Sequence, residues 1–272
     1  MKFPSDWDKP SEDNIERCKL FKYGEFKGTS LKYRFFVPER AGGEVLSDSH
    51  ESSDTKLPLV LYLHGADGFG KDNESQLTIH DIGTFLVDER VQSKYPCLVL
   101  APQTSGSMHW SVPSVRKSLQ ELVESFAKSN NVDTNRIYVY GYSAGGAGTL
   151  GLIKEYPEFY AAAISICGAT SGNGIERLKE TPLYMVHALD DIIVQASYGY
   201  DDSKKGKFSH YGSKDIWRRF NGTKGYDLQY DEYPELWMKE HYNANAHCTW
   251  VIVSDFNRNE RILKWLFSHK RK

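Results

Sequence analysis

The chain has 272 residues, 40% of them apolar and 26% charged, the composition of a globular protein long enough to bury a substantial core without staples. Its 34 Lys and Arg against 36 Asp and Glu leave a net charge of −2, which excludes the clustered basic surface that binding to a phosphate backbone requires. No run approaches the roughly eighteen apolar residues of a membrane-spanning helix, so neither a nucleic-acid nor a membrane partner is expected. The four cysteines (Cys18, Cys97, Cys167, Cys248) stand far apart with no CxxC pair, against a disulfide scaffold or a zinc knuckle. Cys97 and Cys167 lie in apolar runs and read as buried thiols. The polar, acidic start (Met1 to Asp8) has no apolar leader, so the sequence as written fits the cytoplasm, and secretion would need a leader since removed.

In chain order, Leu20 to Lys27 and Thr29 to Val37 are rich in Phe and Tyr around Gly28 and read as an antiparallel strand pair. Ala41 to Lys56 is Ser- and acid-rich without periodicity and reads as an exposed loop. Leu57 to Leu63 is a continuous apolar strand, Ile79 to Val91 is expected to be helical, and Cys97 to Ala101 is a strand. From Ser114 to Ser129, Val115, Leu119, Leu122, Val123 and Phe126 mark one face of an amphipathic helix. Arg136 to Tyr142 is a strand, Ala144 to Glu155 a small-residue helix, and Ala161 to Cys167 and Pro182 to Ala188 are strands. Asp215 to Phe220 predicts a short helix, Tyr226 to Tyr233 a strand, and Asn257 to His269 a closing helix. This alternation implies an α/β protein, a mostly parallel twisted sheet with helices on both faces.

Three segments carry candidate chemistry. Gly141-Tyr142-Ser143-Ala144-Gly145 joins a strand to a helix. A serine hydroxyl needs a base and an exposed, fixed position to act as a nucleophile, and a tight Gly-flanked strand-to-helix corner supplies the position. The pentapeptide alone is a weak signal, since a Gly-rich turn also packs helices on sheets, but the apolar strand before it and the small-residue helix after it strengthen the reading. His64-Gly65-Ala66-Asp67-Gly68 follows the first parallel strand, where the N–H of Ala66, with that of Ala144, suits an oxyanion. Downstream of the serine, Asp190 and Asp191 end the strand carrying His187, and either could orient a base. Of the later histidines, His210 and His269 read as surface residues, His247 in Ala246-His247-Cys248-Thr249-Trp250 is favoured, and His241 is the alternative.

Taken together, LYLHGADGFGKDN, LVLAPQ with Trp110, RIYVYGYSAGGAGT, EYPEFYAAAISICGA, HALDDIIV, AHCTW and KWLFSHKR resemble the serine esterases of the α/β-hydrolase fold. The similarity runs from Leu57 to Arg271 and points to the branch with polyhydroxybutyrate depolymerase-like and feruloyl-esterase-like proteins and peptidases related to prolyl oligopeptidase. It implies Ser143 as nucleophile, His247 as base, Asp191 rather than Asp190 as the orienting acid, and no metal or cofactor. Ala188 and Gln195 stand where the family pattern usually has Gly and Pro. With no internal repeat, one domain over residues 1–272 suffices, with an N-terminal extension at 1–19 and, relative to the family, loop insertions near the site at 192–214 and 236–246. Trp110, Tyr198 and Tyr200 are the expected substrate contacts, with Phe208 and Tyr211 completing an aromatic rim, although packing of long loops against themselves would use the same residues. The implied reaction is hydrolysis of small-molecule or polysaccharide-linked carboxylic esters, feruloyl or acetyl groups above all. The same apparatus would serve a peptidase, against which the sequence offers no propeller, and a hydrolase-fold binding protein would need one of the three positions lost.

Overall fold

Alternation along the strand Leu57–Leu63 lets one sheet serve two cores. Leu59, Leu61 and Leu63 join one buried cluster, whereas Val60 and Tyr62 join the other, as a period of two dictates. The structure is a computed structural model and describes residues 10–26, 31–38, 56–204 and 208–271. The expected loop from Ala41 lies almost wholly outside the described residues, as does the turn around Gly28.

The main sheet is built from β1 (Lys22–Glu25), β2 (Lys32–Phe36), β3 (Leu57–Leu63), β4 (Leu98–Gln103), β5 (Val132–Tyr142), β6 (Ala162–Ile166), β8 (Leu183–Ala188) and β10 (Leu228–Tyr233), while β7 (Ala169–Ser171) and β9 (His210–Gly212) pair separately. Its order is β1-β2-β4-β3-β5-β6-β8-β10. The N-terminal pair is antiparallel, with Lys22 opposite Phe35, and β2 runs antiparallel to β4. Every other pairing is parallel, with Leu63 opposite Gly141, Tyr142 opposite Ile166 and His187 opposite Glu232. This register brings the C-terminal ends of β3, β5 and β8 to one edge, where ligands of such sheets bind.

Helices cover both faces. On one lie α1 (Glu12–Cys18), α8 (Trp250–Ser254) and α9 (Glu260–Ser268), with Trp250, Ile262 and Leu266 buried against Tyr138, Tyr140 and Tyr142 of β5. On the other lie α4 (Pro113–Ser129), α5 (Ala144–Glu155) and α6 (Ser213–Phe220). The short helices α2 (Ser75–Thr78), α3 (Glu89–Gln92) and α7 (Trp237–Tyr242) fill connections. All four cysteines are buried, and burial pushes the Cys97 thiol up to about 12.

The expected helix from Ile79 to Val91 is absent. Two single turns, Asp81–Gly83 and Phe85–Val87, precede α3, because the Asp88 side chain accepts from the Arg90 N–H and starts a new helix there. Ile82, Phe85, Leu86 and Val91 are nonetheless buried, so the helical spacing reported burial and not conformation. Helix α1 was not expected. Ser11 caps it, and Cys18 at its end packs into the core.

Helix α5 crosses β3 so closely that a Cβ on Gly145 would lie 1.9 Å from the Leu63 carbonyl oxygen. Substituting Gly145→Ala is therefore expected to destabilise the fold by about 3 kcal/mol or more, or to prevent folding. Urea unfolding followed by circular dichroism measures this.

Candidate active site

Ser143 stands between the end of β5 and the start of α5 with φ 54° and ψ −117°, a left-handed turn that non-glycine residues rarely adopt. Such backbone costs on the order of 1–3 kcal/mol and persists only where packing enforces it. Here the Ser143 N–H donates to the Ile166 carbonyl at 2.9 Å and the first turns of α5 lie against β3 and β6. The hydroxyl is thereby lifted above the sheet edge. Its Oγ lies 2.8 Å from Nε2 of His247.

His247 sits on the loop between α7 and α8, its backbone N–H held by the Asn245 side chain at 2.9 Å. Its Nδ1 lies 2.7 Å from Oδ2 of Asp191. A carboxylate can only accept, so Nδ1 carries the proton and Nε2 is free to accept from the Ser143 hydroxyl. The Asp191 side chain has no solvent exposure, and burial alone would raise its pKa. Hydrogen bonds from His187 and His247 outweigh that and hold the carboxyl well below the usual carboxylate range. The site therefore contains a fixed negative charge, an oriented imidazole and a hydroxyl in one line.

Asp190, the other candidate acid, instead accepts from the Leu236 N–H at 2.9 Å and ties down the 236–246 segment. His241 is exposed, stacked on Trp237 at 4.2 Å, and takes no part in the line.

Ala66 opens a short turn after β3 and is exposed, and Ala144, directly after the serine, opens α5. His64 explains how the Ala66 N–H is aimed. Its ring is fully buried, and burial lowers its pKa to about 4, so it stays neutral. Nε2 accepts from the Thr104 N–H at 3.1 Å, and Nδ1 donates to the Gly65 carbonyl at 2.6 Å. The C=O and N–H of a trans peptide point opposite ways, so holding the Gly65 carbonyl inward turns the Ala66 N–H outward. Asp67 braces the same turn, accepting from His80 at 2.6 Å, from the Gly68 N–H and from the hydroxyl of Tyr142, the residue before the serine. Gln103 adds a bond to the Gly68 carbonyl at 3.2 Å. Neither Asp67, His80 nor Gln103 was singled out from the sequence, where nothing relates positions so far apart.

Two of the expected substrate contacts are corrected. Trp110 is completely buried, and its Nε1 donates to the His64 carbonyl at 2.9 Å, so it supports the turn from behind. Tyr200 is only 3% exposed and packs with Phe208 and Tyr211, at centroid distances of 5.6 and 5.3 Å. The Arg219 guanidinium lies over both tyrosine rings and pairs with Glu176. A long insertion needs a core of its own, and these aromatics form it. Tyr198 alone of the three stays partly open, 36% exposed with its ring edge-on to His210. Exposed Leu189, Ile192, Ile193 and Leu236 add apolar surface around the acid loop, beside a cavity of 320 Å³ lined by Leu189, Ile192, Ala196 and their neighbours. Among the described residues no cluster of His, Cys, Asp and Glu is arranged to hold a metal ion, and no helix is long and apolar enough to cross a membrane.

Residues 114–203 match the model of the prolyl oligopeptidase family. The fold resembles that of a thermostable esterase, with a TM-score of 0.77 and 28% identity, covering 94% of this chain and 64% of that one. Est1E from Butyrivibrio proteoclasticus shares the fold at 13% identity and a TM-score of 0.56, covering 91% of this chain and 99% of that one. Over 142 residues the sequence is 23% identical to the bifunctional acetylxylan esterase/xylanase XynS20E of Neocallimastix patriciarum, half of this chain and 20% of the relative. The chain thus spans only part of both the thermostable esterase and the xylan-active relative. The architecture is the α/β-hydrolase fold, a mostly parallel sheet with an antiparallel N-terminal pair.

Asp67 yields a stability test. Burial raises its carboxyl pKa, but the His80 and Tyr142 hydrogen bonds and the Gly68 N–H outweigh this and hold it below its ordinary value. A carboxyl lowered on folding adds stability above its unfolded pKa of about 4, and the contribution is lost as pH falls through the folded value. Asp67→Asn is expected to cost about 1–3 kcal/mol at neutral pH. The difference from wild type should shrink below about pH 4, as urea midpoints measured against pH would show.

Proposed function

We propose that this α/β-hydrolase of the serine-esterase type cleaves carboxylic esters through an acyl-enzyme, with Ser143 as nucleophile, His247 as base and Asp191 as its orienting acid. The observation that carries the reading is the unbroken hydrogen-bonded line from the Ser143 hydroxyl through His247 to a fully buried carboxylate. His247 takes the hydroxyl proton as Oγ attacks the ester carbonyl, and Asp191 stabilises the imidazolium that forms. The N–H groups of Ala66 and Ala144 receive the developing oxyanion, a contribution of several kcal/mol to the barrier. His247 then protonates the departing alcohol, and water repeats the sequence on the acyl-serine.

For substrate, we favour acetyl or feruloyl esters carried on plant polysaccharide. The likeness to an acetylxylan esterase/xylanase supports the carbohydrate side. The half-open Tyr198 and the exposed apolar residues around Asp191 support an apolar or aromatic group at the rim. A peptidase is the second reading, favoured by the prolyl oligopeptidase family match, since the same apparatus attacks amides.

Ser143→Ala should retain its melting temperature and lose on the order of 10⁶ in kcat on aryl acetates. Retained turnover would remove Ser143 from the reaction. Activity should fall as pH drops, because a protonated base cannot take the hydroxyl proton. Side-by-side rates on acetylated xylan, methyl ferulate, aryl acetates and peptide amides separate the substrate classes, amide turnover rivalling ester turnover favouring the peptidase. Tyr198→Ala should change the ratio of feruloyl to acetyl turnover about tenfold. An unchanged ratio would exclude Tyr198 from substrate contact.

A further inference from the structure

His187, the penultimate residue of β8, lies four residues before Asp191, is fully buried, and takes no part in the reaction as described above. Its Nε2 faces two acceptors, the Val194 carbonyl at 2.9 Å and Asp191 Oδ2 at 3.2 Å, so the ring proton resides on that nitrogen. Its Nδ1 faces the Ser213 hydroxyl at 2.9 Å, and Ser213, the first residue of α6, is also completely buried. A hydroxyl donates to the unprotonated nitrogen, which fixes one tautomer of a neutral imidazole. We propose that His187, set by Ser213, is a positioning residue for the orienting acid, fixing the rotation of the Asp191 carboxylate and tempering its pull on His247.

The acceptor arithmetic supports this. Asp191 Oδ1 accepts from the Ile193 and Val194 N–H groups at 2.9 and 3.1 Å, and Oδ2 accepts from His247 and His187. Four donors fill a carboxylate's lone-pair sites. With His187 in place, Oδ2 cannot rotate away from His247, and its charge is shared between two imidazoles. Removing the second donor has two consequences. The carboxylate is left with three donors and its Oδ2 with one, which loosens its alignment and slows attack, and the charge facing His247 is less neutralised, which stabilises the imidazolium. Other ionisable groups near this unit include the Glu232–Lys214 pair, Glu232 being opposite His187 on β10, the Cys167 thiol and the Tyr198 hydroxyl near Asp191, the adjacent Asp190, and Asp215 in the first turn of α6. Asp215 is occupied by the Ser197 hydroxyl and three backbone N–H groups of the 197–212 segment. Ser213 therefore connects the far end of the 192–214 insertion to the acid.

The inference rests on the Ser143–His247–Asp191 assignment, and one experiment distinguishes the two. The rate of Ser143 modification by a fluorophosphonate probe is measured across about pH 5–9, a range that spans histidine titration. Wild type, His187→Leu, His187→Gln and Ser213→Ala are compared, with folding checked by thermal melting. In wild type, labelling at Ser143 is expected, rising with pH. His187→Leu should lower the plateau about tenfold, well short of the roughly 10⁴ lost when the acid itself is replaced. It should also move the acid limb up by about half a pH unit. His187→Gln, whose amide N–H reaches the place of Nε2, should restore both. Should the leucine variant fail to fold, Ser213→Ala carries the test, with the same upward shift expected. Wild-type labelling at Ser143 together with an unmoved limb in folded His187→Leu or Ser213→Ala overturns the inference and leaves the assignment standing. The same holds if the glutamine variant behaves like the leucine one. Absence of wild-type labelling at Ser143 removes the assignment and the inference together.

Discussion

The left-handed turn at Ser143 is the constraint around which this molecule is arranged. A β-strand and an α-helix cannot meet so abruptly unless the helix is allowed to sit almost in contact with neighbouring strands, and the glycines after the serine permit that approach. The strain at one residue is opposed by the packing of a whole helix against the sheet. The same crossing leaves the first N–H groups of α5 at the sheet edge, where no preceding turn can use them. Geometry that would make the serine reactive and geometry that would hold an oxyanion thus arise from a single backbone decision.

The surrounding residues extend this economy. His64, Trp110 and Gln103 hold the turn after β3 from beneath, all buried, with the neutral state of His64 a consequence of that burial. On the other side, the loop after β8 is organised almost entirely by one carboxylate that collects donors from its own backbone and from two histidines. Fixed dipoles line both regions, so the proposed reaction would need little reorganisation as its charge develops.

Much of the sheet was legible because a strand buried on both faces is a short apolar run, and β3 and α5 fall at the boundaries read from sequence. Ser143 and His247 were named from local context and Asp191 from the family resemblance, and the three meet in space. The segment from Ile79 to Val91 misled because Gly83 and the Asp88 cap interrupt a pattern of burial that a helix would also produce. Trp110 and Tyr200 misled for a related reason: an aromatic in a long connection says that something is covered, without saying whether that is a substrate or the loop itself. His187, Asp67 and His80 could not be ranked from sequence, since their importance comes from partners up to 75 positions away, as in the Tyr142–Asp67 contact.

The insertion from 192 to 214 is wound around Arg219 and pinned by Asp215, so it behaves as a small module with an interior of its own. Residues on its outer skin, Tyr198 among them, contribute little to that interior. A substitution on that skin can therefore change the surface near Asp191 while the interior beneath keeps its alignment. Selectivity and reactivity are in this sense separately inherited traits of one polypeptide.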